Sequence, residues 1–167
     1  LEHSKTIERE PLINKIEGLY EKSRNISYED IPSGNSTDYN KQVHDLLTSF
    51  ADEQTKVIVV GNQQVFWSMI TPSQKHELQL TLNEIMINMK KHSRAKNAVI
   101  VVRQEDNKGI VTYKDDGVGF RPGFEFGNGL NNTVSRIKSI NGEVNFGKSE
   151  KEGVSITISF PLESPKI

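Results

Sequence analysis

Apolar positions recur along the chain with two different periods, and their alternation lays out the elements. From about 8 to 27, positions Leu12, Ile16, Leu19, Ser23 and Ile26 fall at spacings of four, three, four and three. That narrow seam predicts a helix, one that packs on a partner helix or simply docks on its own domain. The run DIPSGNSTD at 30–38 breaks the pattern and reads as a linker at a domain boundary. A helix follows over 39–53, with Val43, Leu46, Leu47 and Phe50 on one face. The β-branched run KVIVV at 56–60, closed by Gly61, predicts a strand. A short helix at 63–70 carries Trp67.

Thr71-Pro72-Ser73-Gln74 opens the central helix. Thr71 can cap it, Pro72 suits its first turn, and Gln74 sits where a capping box needs an amide. Leu78, Leu82, Ile85 and Met89 form its apolar stripe, and it should end near 93–96. A second stripe is polar: Glu84, Asn88, Lys91 and His92 fall at i, i+4, i+7 and i+8. AVIVVR at 98–103 and the segment 110–115 read as strands joined by a turn at 106–109. The segment 120–126 lacks a pattern and reads as a loop. Leu130, Val134, Ile137 and Ile140 mark a last helix, stopped by Asn141-Gly142. Strands at 143–147 and 154–160 close the chain. In the second of these, Val154, Ile156, Ile158 and Phe160 alternate with Ser155, Thr157 and Ser159, giving one wet face and one face under helices. The fold class is α+β, a two-layer α/β sandwich with a mixed sheet covered by helices on one face.

Composition changes this picture little. The 167 residues suffice for an ordinary domain with a real core. Lys+Arg 21 against Asp+Glu 22 leaves a net charge of -1, which offers no basic excess for nucleic acid. The absence of cysteine excludes disulfides and thiolate metal sites and fits a reducing compartment. No apolar run reaches membrane-span length, and the first residues are no signal peptide. The chain lacks an initial Met and opens inside a helical pattern, so it reads as a fragment.

The chemistry lies in three stretches: LNEIMINMKKH at 82–92, DDGVGF at 115–120 and GNGL at 127–130. Asp115 ends a strand and shares a face with Val111 and Tyr113, pointing at the helix layer. An unpaired carboxylate there is costly, and the exocyclic amine of a purine would satisfy it. Gly117 and Gly119 let the backbone approach a flat base, or simply form a turn. Gly127, Gly129 and Leu130 open a helix whose N–H groups can hold phosphate, or they serve as the hinge of a lid. Asn88 can offer an oxygen to Mg²⁺, Glu84 can act as a general base, and Lys91 and His92 can neutralise phosphate. Singly, each is common on a helix surface. Together they point to a Mg-nucleotide site.

The three stretches resemble the N, G1 and G2 boxes of the GHKL ATPase superfamily, within it the catalytic ATP-binding domain of sensor histidine kinases. The ending KHS and the short gap between glycine boxes resemble the nitrate-sensor-like subgroup. The likeness covers about 38 to 162. It implies the Bergerat fold, with ATP held between helices and sheet. It implies that Asp115 reads the adenine amine, Asn88 binds Mg²⁺, Lys91 and His92 contact phosphate, Gly127, Gly129 and Leu130 close over it, and Glu84 serves transfer to a histidine. The domains would be 1–30, the second helix of a dimerisation hairpin; 31–38, a linker; 39–162, the catalytic domain; and 163–167, a tail. The implied partners are the histidine helix of the parent kinase and a response regulator, with a homodimeric parent. The expected location is cytoplasmic, the parent being open to an inner-membrane anchor.

Two departures stand out. Where the family commonly has Gly-Thr at the start of the last strand, whose hydroxyl helps hold a water against adenine, this chain has Gly153-Val154. No helix with a phosphoacceptor histidine followed by an acid is found: His44-Asp45 lies after the linker, and His3 has no acidic neighbour after it. The chain therefore reads as a kinase module acting on a histidine supplied elsewhere. The alternative is a nucleotide-binding or scaffold module that lost catalysis. A serine kinase of the same superfamily is a third reading, disfavoured by the KHS ending and the hairpin-like first helix.

Overall fold

A computed structural model of the chain describes residues 39–120, 127–149 and 151–163. The expected first helix, the linker, most of the loop after Phe120 and most of the tail lie outside these residues. Contacts divide the chain into units Leu1–Asn35 and Ser36–Ile167, and every described residue belongs to the second. In order it contains α1 (Tyr39–Thr48), β1 (Lys56–Val60), α2 (Gln64–Trp67), α3 (Pro72–Asn88) continued by a π-helical turn (Met89–Ser93), β2 (Asn97–Glu105), β3 (Lys108–Asp115), α4 (Asn128–Ser139), β4 (Glu143–Lys148) and β5 (Val154–Pro161).

The five strands form one sheet in the order β1-β2-β3-β5-β4. β1 runs parallel to β2, and the other pairings are antiparallel, so the sheet is mixed. Register sets the chemistry of each face. Ala98 lies opposite Asp115, Ile100 opposite Tyr113 and Val102 opposite Val111, which puts all six on the helix side. Along β5, Ile156, Ile158 and Phe160 join them, each no more than 3% exposed. The helices answer with Val43, Leu47, Leu78, Leu82, Ile85, Met86, Met89 and Ile137, all buried in the same core. The outer face is not uniformly polar. Ile58 and Val60 on the edge strand β1 are 48% and 49% exposed, because KVIVV carries apolar residues on both faces.

Local signals act where they were expected. Thr71 Oγ1 accepts from the Gln74 N–H at 3.1 Å, and Gln74 Oε1 accepts from the Thr71 N–H at 3.0 Å, so the capping box is closed. Gln74 also donates to the Pro161 carbonyl at 2.7 Å, which ties the start of α3 to the end of β5. Tyr39, Trp67, Phe66 and Phe160 make a chain of edge-on ring contacts from α1 to β5. α4 ends as a Schellman motif. Asn141 takes the left-handed conformation, its N–H reaches the Lys138 carbonyl, and the Gly142 N–H reaches Ile137.

Three local expectations need correction. α1 stops at Thr48 rather than 53, since Thr48 and Ser49 turn their hydroxyls back onto the His44 and Leu46 carbonyls. The β2–β3 turn is only Asp106-Asn107, with Asp106 left-handed. Gly109 belongs to β3, under the ring of Phe160. The third correction is the π-helical turn, which no apolar spacing announced.

Candidate nucleotide site

The capped N-terminus of α3 fixes where its C-terminal end arrives, beside the C-terminal end of β3. An i→i+5 turn takes more residues per revolution than an α-turn. From Asn88 onward it therefore keeps His92 and Ser93 near the Asn88 face and rotates Lys91 away. Arg94 then ends the segment in a left-handed conformation. The Ser93 carbonyl accepts from the Val118 N–H at 2.7 Å, which pins the DDGVGF loop to the π turn.

Between these elements lies a cavity of about 250 Å³. Asn88, His92, Asp115, Gly119, Gly127, Gly129 and Leu130 line it, together with Ile85, Met89, Ser93, Tyr113, Phe120, Val154 and Ile156. Most of the residues singled out from sequence thus come to one place. Three do not line it. Gly117 packs beneath the loop against Ser93. Glu84 sits one turn before Asn88, half-buried against Gly129, and accepts from the Asn88 amide at 3.5 Å. Lys91, in the π turn, is exposed and is not among the lining residues.

Asp115 is the most constrained polar group of the site, at 4% exposure. Its Oδ1 accepts from the Gly117 N–H at 2.9 Å and the Val154 N–H at 3.1 Å. Its Oδ2 accepts from the Tyr113 hydroxyl at 2.5 Å. Burial first, and the Asp115 carboxylate second, push the Tyr113 phenol up, so it keeps its proton. Gly153 passes so close that a side chain there would overlap the Asp115 backbone and carboxylate. Gly119 turns at φ +71, against the Glu152 carbonyl.

The second acid of the motif does different work. Asp116 Oδ1 accepts from the Lys96 and Asn97 N–H groups, each at 2.8 Å, and Oδ2 from the Asn97 amide at 2.7 Å. Desolvation pushes its pKa upward, but these hydrogen bonds outweigh it and hold the carboxyl below its usual range. Asp116 therefore clamps the start of β2 instead of facing the cavity. Spacing alone did not single out Tyr113 or Gly153 as site residues. The i, i+2 relation of Tyr113 to Asp115 was the available signal.

A two-layer α+β domain with a cavity between helices and sheet, floored by a buried carboxylate and rimmed by two glycine loops, is the arrangement expected from the sequence. Solved structures share the fold. The chain superposes on the histidine kinase domain of a blue-light activated histidine kinase from Erythrobacter litoralis with TM-score 0.59 and 17% identity, covering 76% of this chain and 60% of that one. On the ATP binding domain of PrrB from Mycobacterium tuberculosis the TM-score is 0.56 at 19% identity, covering 72% and 93%. In sequence it is similar to the sensor histidine kinase YvfT of Bacillus subtilis, 29% identical over 96 residues. That match takes in 58% of this chain but only a quarter of the relative's length. No family model matches the chain. The chain carries the fold seen in histidine kinase ATP-binding domains and is similar in sequence to sensor histidine kinases.

Proposed function

We propose that the chain is the ATP-binding catalytic domain of a two-component sensor histidine kinase of the nitrate-sensor-like subgroup. It binds Mg-ATP and presents the γ-phosphate to a histidine on the dimerisation helix of its parent, which in turn serves a response regulator. The observation that carries this reading is the buried Asp115 carboxylate at the cavity floor. Oδ1 is saturated by two backbone donors, whereas Oδ2 retains a lone pair for a ligand donor. Ile85, Met89, Leu130 and Ile156 supply apolar walls suited to a flat ring.

Asn88 and His92 lie where the phosphates of such a ligand would emerge, facing the N-terminal turn of α4 at Gly127 and Gly129. The donor set fits Mg²⁺. Among the described residues no group of three or more acidic, His or Cys side chains is placed to hold a metal ion. Asn88 gives its amide N–H to Glu84 and keeps its oxygen for a cation whose other ligands are phosphate and water. Mg²⁺ would neutralise phosphate charge. Glu84, held against Asn88 and Gly129, would orient or deprotonate the incoming imidazole. Positioning and charge neutralisation would carry most of the catalysis. Lys91, exposed and outside the cavity lining, would contact phosphate through its long side chain.

Titration with a fluorescent ATP analogue, with and without Mg²⁺, tests the reading: saturable, Mg-sensitive binding is expected. A flat titration up to millimolar nucleotide overturns it. A second reading, a nucleotide-binding scaffold without transfer, draws on Val154, which meets Asp115 with a backbone N–H and offers no hydroxyl. Adding a separate histidine-bearing dimerisation hairpin and γ-labelled ATP separates the two, since only a kinase labels the hairpin. Among the described residues no helix is long and apolar enough to cross a membrane.

A further inference from the structure

Tyr113 lines the cavity beside Asp115, yet it is only 2% exposed and its hydroxyl proton is committed to Asp115 Oδ2. A phenol that donates its one hydrogen to a carboxylate can meet a ligand only with lone pairs. The two oxygens, 2.5 Å apart, then act as one edge made of acceptors alone. The backbone offers this edge no relief, because the Gly117 and Val154 N–H groups both go to Oδ1. Ile156, on the neighbouring strand directly opposite Tyr113, is apolar.

We propose that Tyr113 is a specificity-determining residue, which with Asp115 forms an acceptor-only edge that takes a ring bearing an amino donor and rejects its oxo counterpart. The inference rests on the nucleotide reading above. One N–H of that exocyclic amine can be shared between the two oxygens as a three-centre bond, a common arrangement in proteins. A carbonyl in its place would set a third group of lone pairs against the two oxygens, and the Tyr113 hydroxyl could turn its hydrogen toward it only by giving up its bond to Asp115. Sites built to bond an N–H reject the analogue lacking it strongly, because their own buried groups are left unpaired.

The test compares ATP, inosine triphosphate and purine riboside triphosphate by calorimetric titration against the full chain and its Tyr113→Phe variant. The parent should prefer ATP over inosine triphosphate by about a hundredfold, the size of two lost or opposed hydrogen bonds. In Tyr113→Phe that ratio should fall about tenfold, while the affinity for purine riboside triphosphate, which offers neither group, stays the same. Equal losses for all three nucleotides mean that Tyr113 is merely structural and overturn the inference; so does an unchanged ratio. Should Tyr113→Phe fail to fold, the parent decides alone, and a preference below about tenfold for ATP refutes the two-oxygen edge. A parent that binds no ATP would instead sink the nucleotide reading itself.

Discussion

Gly153→Ala is the sharpest test of how the site is held. Gly153 precedes β5 and is buried, and a methyl on it would overlap the Asp115 carbonyl oxygen and carboxylate and lie 2.6 Å from the Asp115 carbonyl carbon. Ordinary carbon contacts are about 3.5–4 Å, so something must move by roughly 1 Å. The obstacle is backbone, not the tip of a flexible side chain. Nor is it free to yield: the Ser149 hydroxyl donates to that same carbonyl at 2.6 Å, and the Ser149 N–H is bound to the Gly153 carbonyl at 2.9 Å. Overpacking of this kind costs about 1–3 kcal/mol. Displacing Asp115 also weakens the Val154 N–H bond to a charged acceptor, worth about 1.5–3 kcal/mol. The two overlap, so roughly 2–4 kcal/mol is expected, a melting shift on the order of 6–16 °C for a unit of this size. Urea unfolding should show a lower midpoint at unchanged slope, with nucleotide affinity falling alongside it. Gly147→Ala is the control, since a methyl there meets nothing within 4 Å. Gly153→Ala with the midpoint and affinity of that control would refute the close-approach argument.

The other predictions are more local. Thr71→Ala removes the side-chain half of the capping box and should lower the urea-derived stability by about 1 kcal/mol; a change below 0.3 would mean that the Gln74 bond to Pro161 alone secures the helix start. Asp115→Asn should weaken ATP at least about tenfold while leaving the triphosphate of unsubstituted purine riboside nearly unaffected, as measured by the same titration. Glu84→Gln should spare nucleotide affinity and slow label transfer to a separate histidine hairpin; equal loss of both would place Glu84 in binding instead. Acid should destabilise the fold. Asp116 and Asp52 both have folded pKa values lowered from 3.8, that of Asp52 to about 2, chiefly through its bond with Lys90. A lowered folded pKa gives stability that is full above about pH 4 and lost as pH falls through the folded value. The urea midpoint should therefore drop between pH 4 and 2, and less steeply in Asp116→Asn.

How much of this was legible in the sequence depends on the range of the interaction. The strands, the capping box and the apolar stripe of α3 are written in local patterns. Hydrogen bonding, side-chain period and burial agree on them, so spacing suffices. The sheet order was less accessible, because β1-β2-β3-β5-β4 depends on which edge a strand of similar composition joins. Strand alternation already set Asp115 apart from its neighbour in DDGVGF, but the work of Asp116 needed the fold. The pleat sends Asp115 to the helix side, while its neighbour Asp116 turns to the start of β2. The π turn carries no clear spacing signal, since MKKHS continues an acceptable α-helical pattern. Yet that turn decides which of two adjacent basic residues lines the cavity. Extrapolating an ideal helix puts Lys91 and His92 on one polar face with Asn88. One extra residue in the revolution keeps His92 and Ser93 in the cavity lining and leaves Lys91 out of it. The same shift brings the Ser93 carbonyl under the loop, where it accepts from Val118. The distortion of the helix and the anchoring of the glycine loop are thus a single event, and the cavity owes its shape to both.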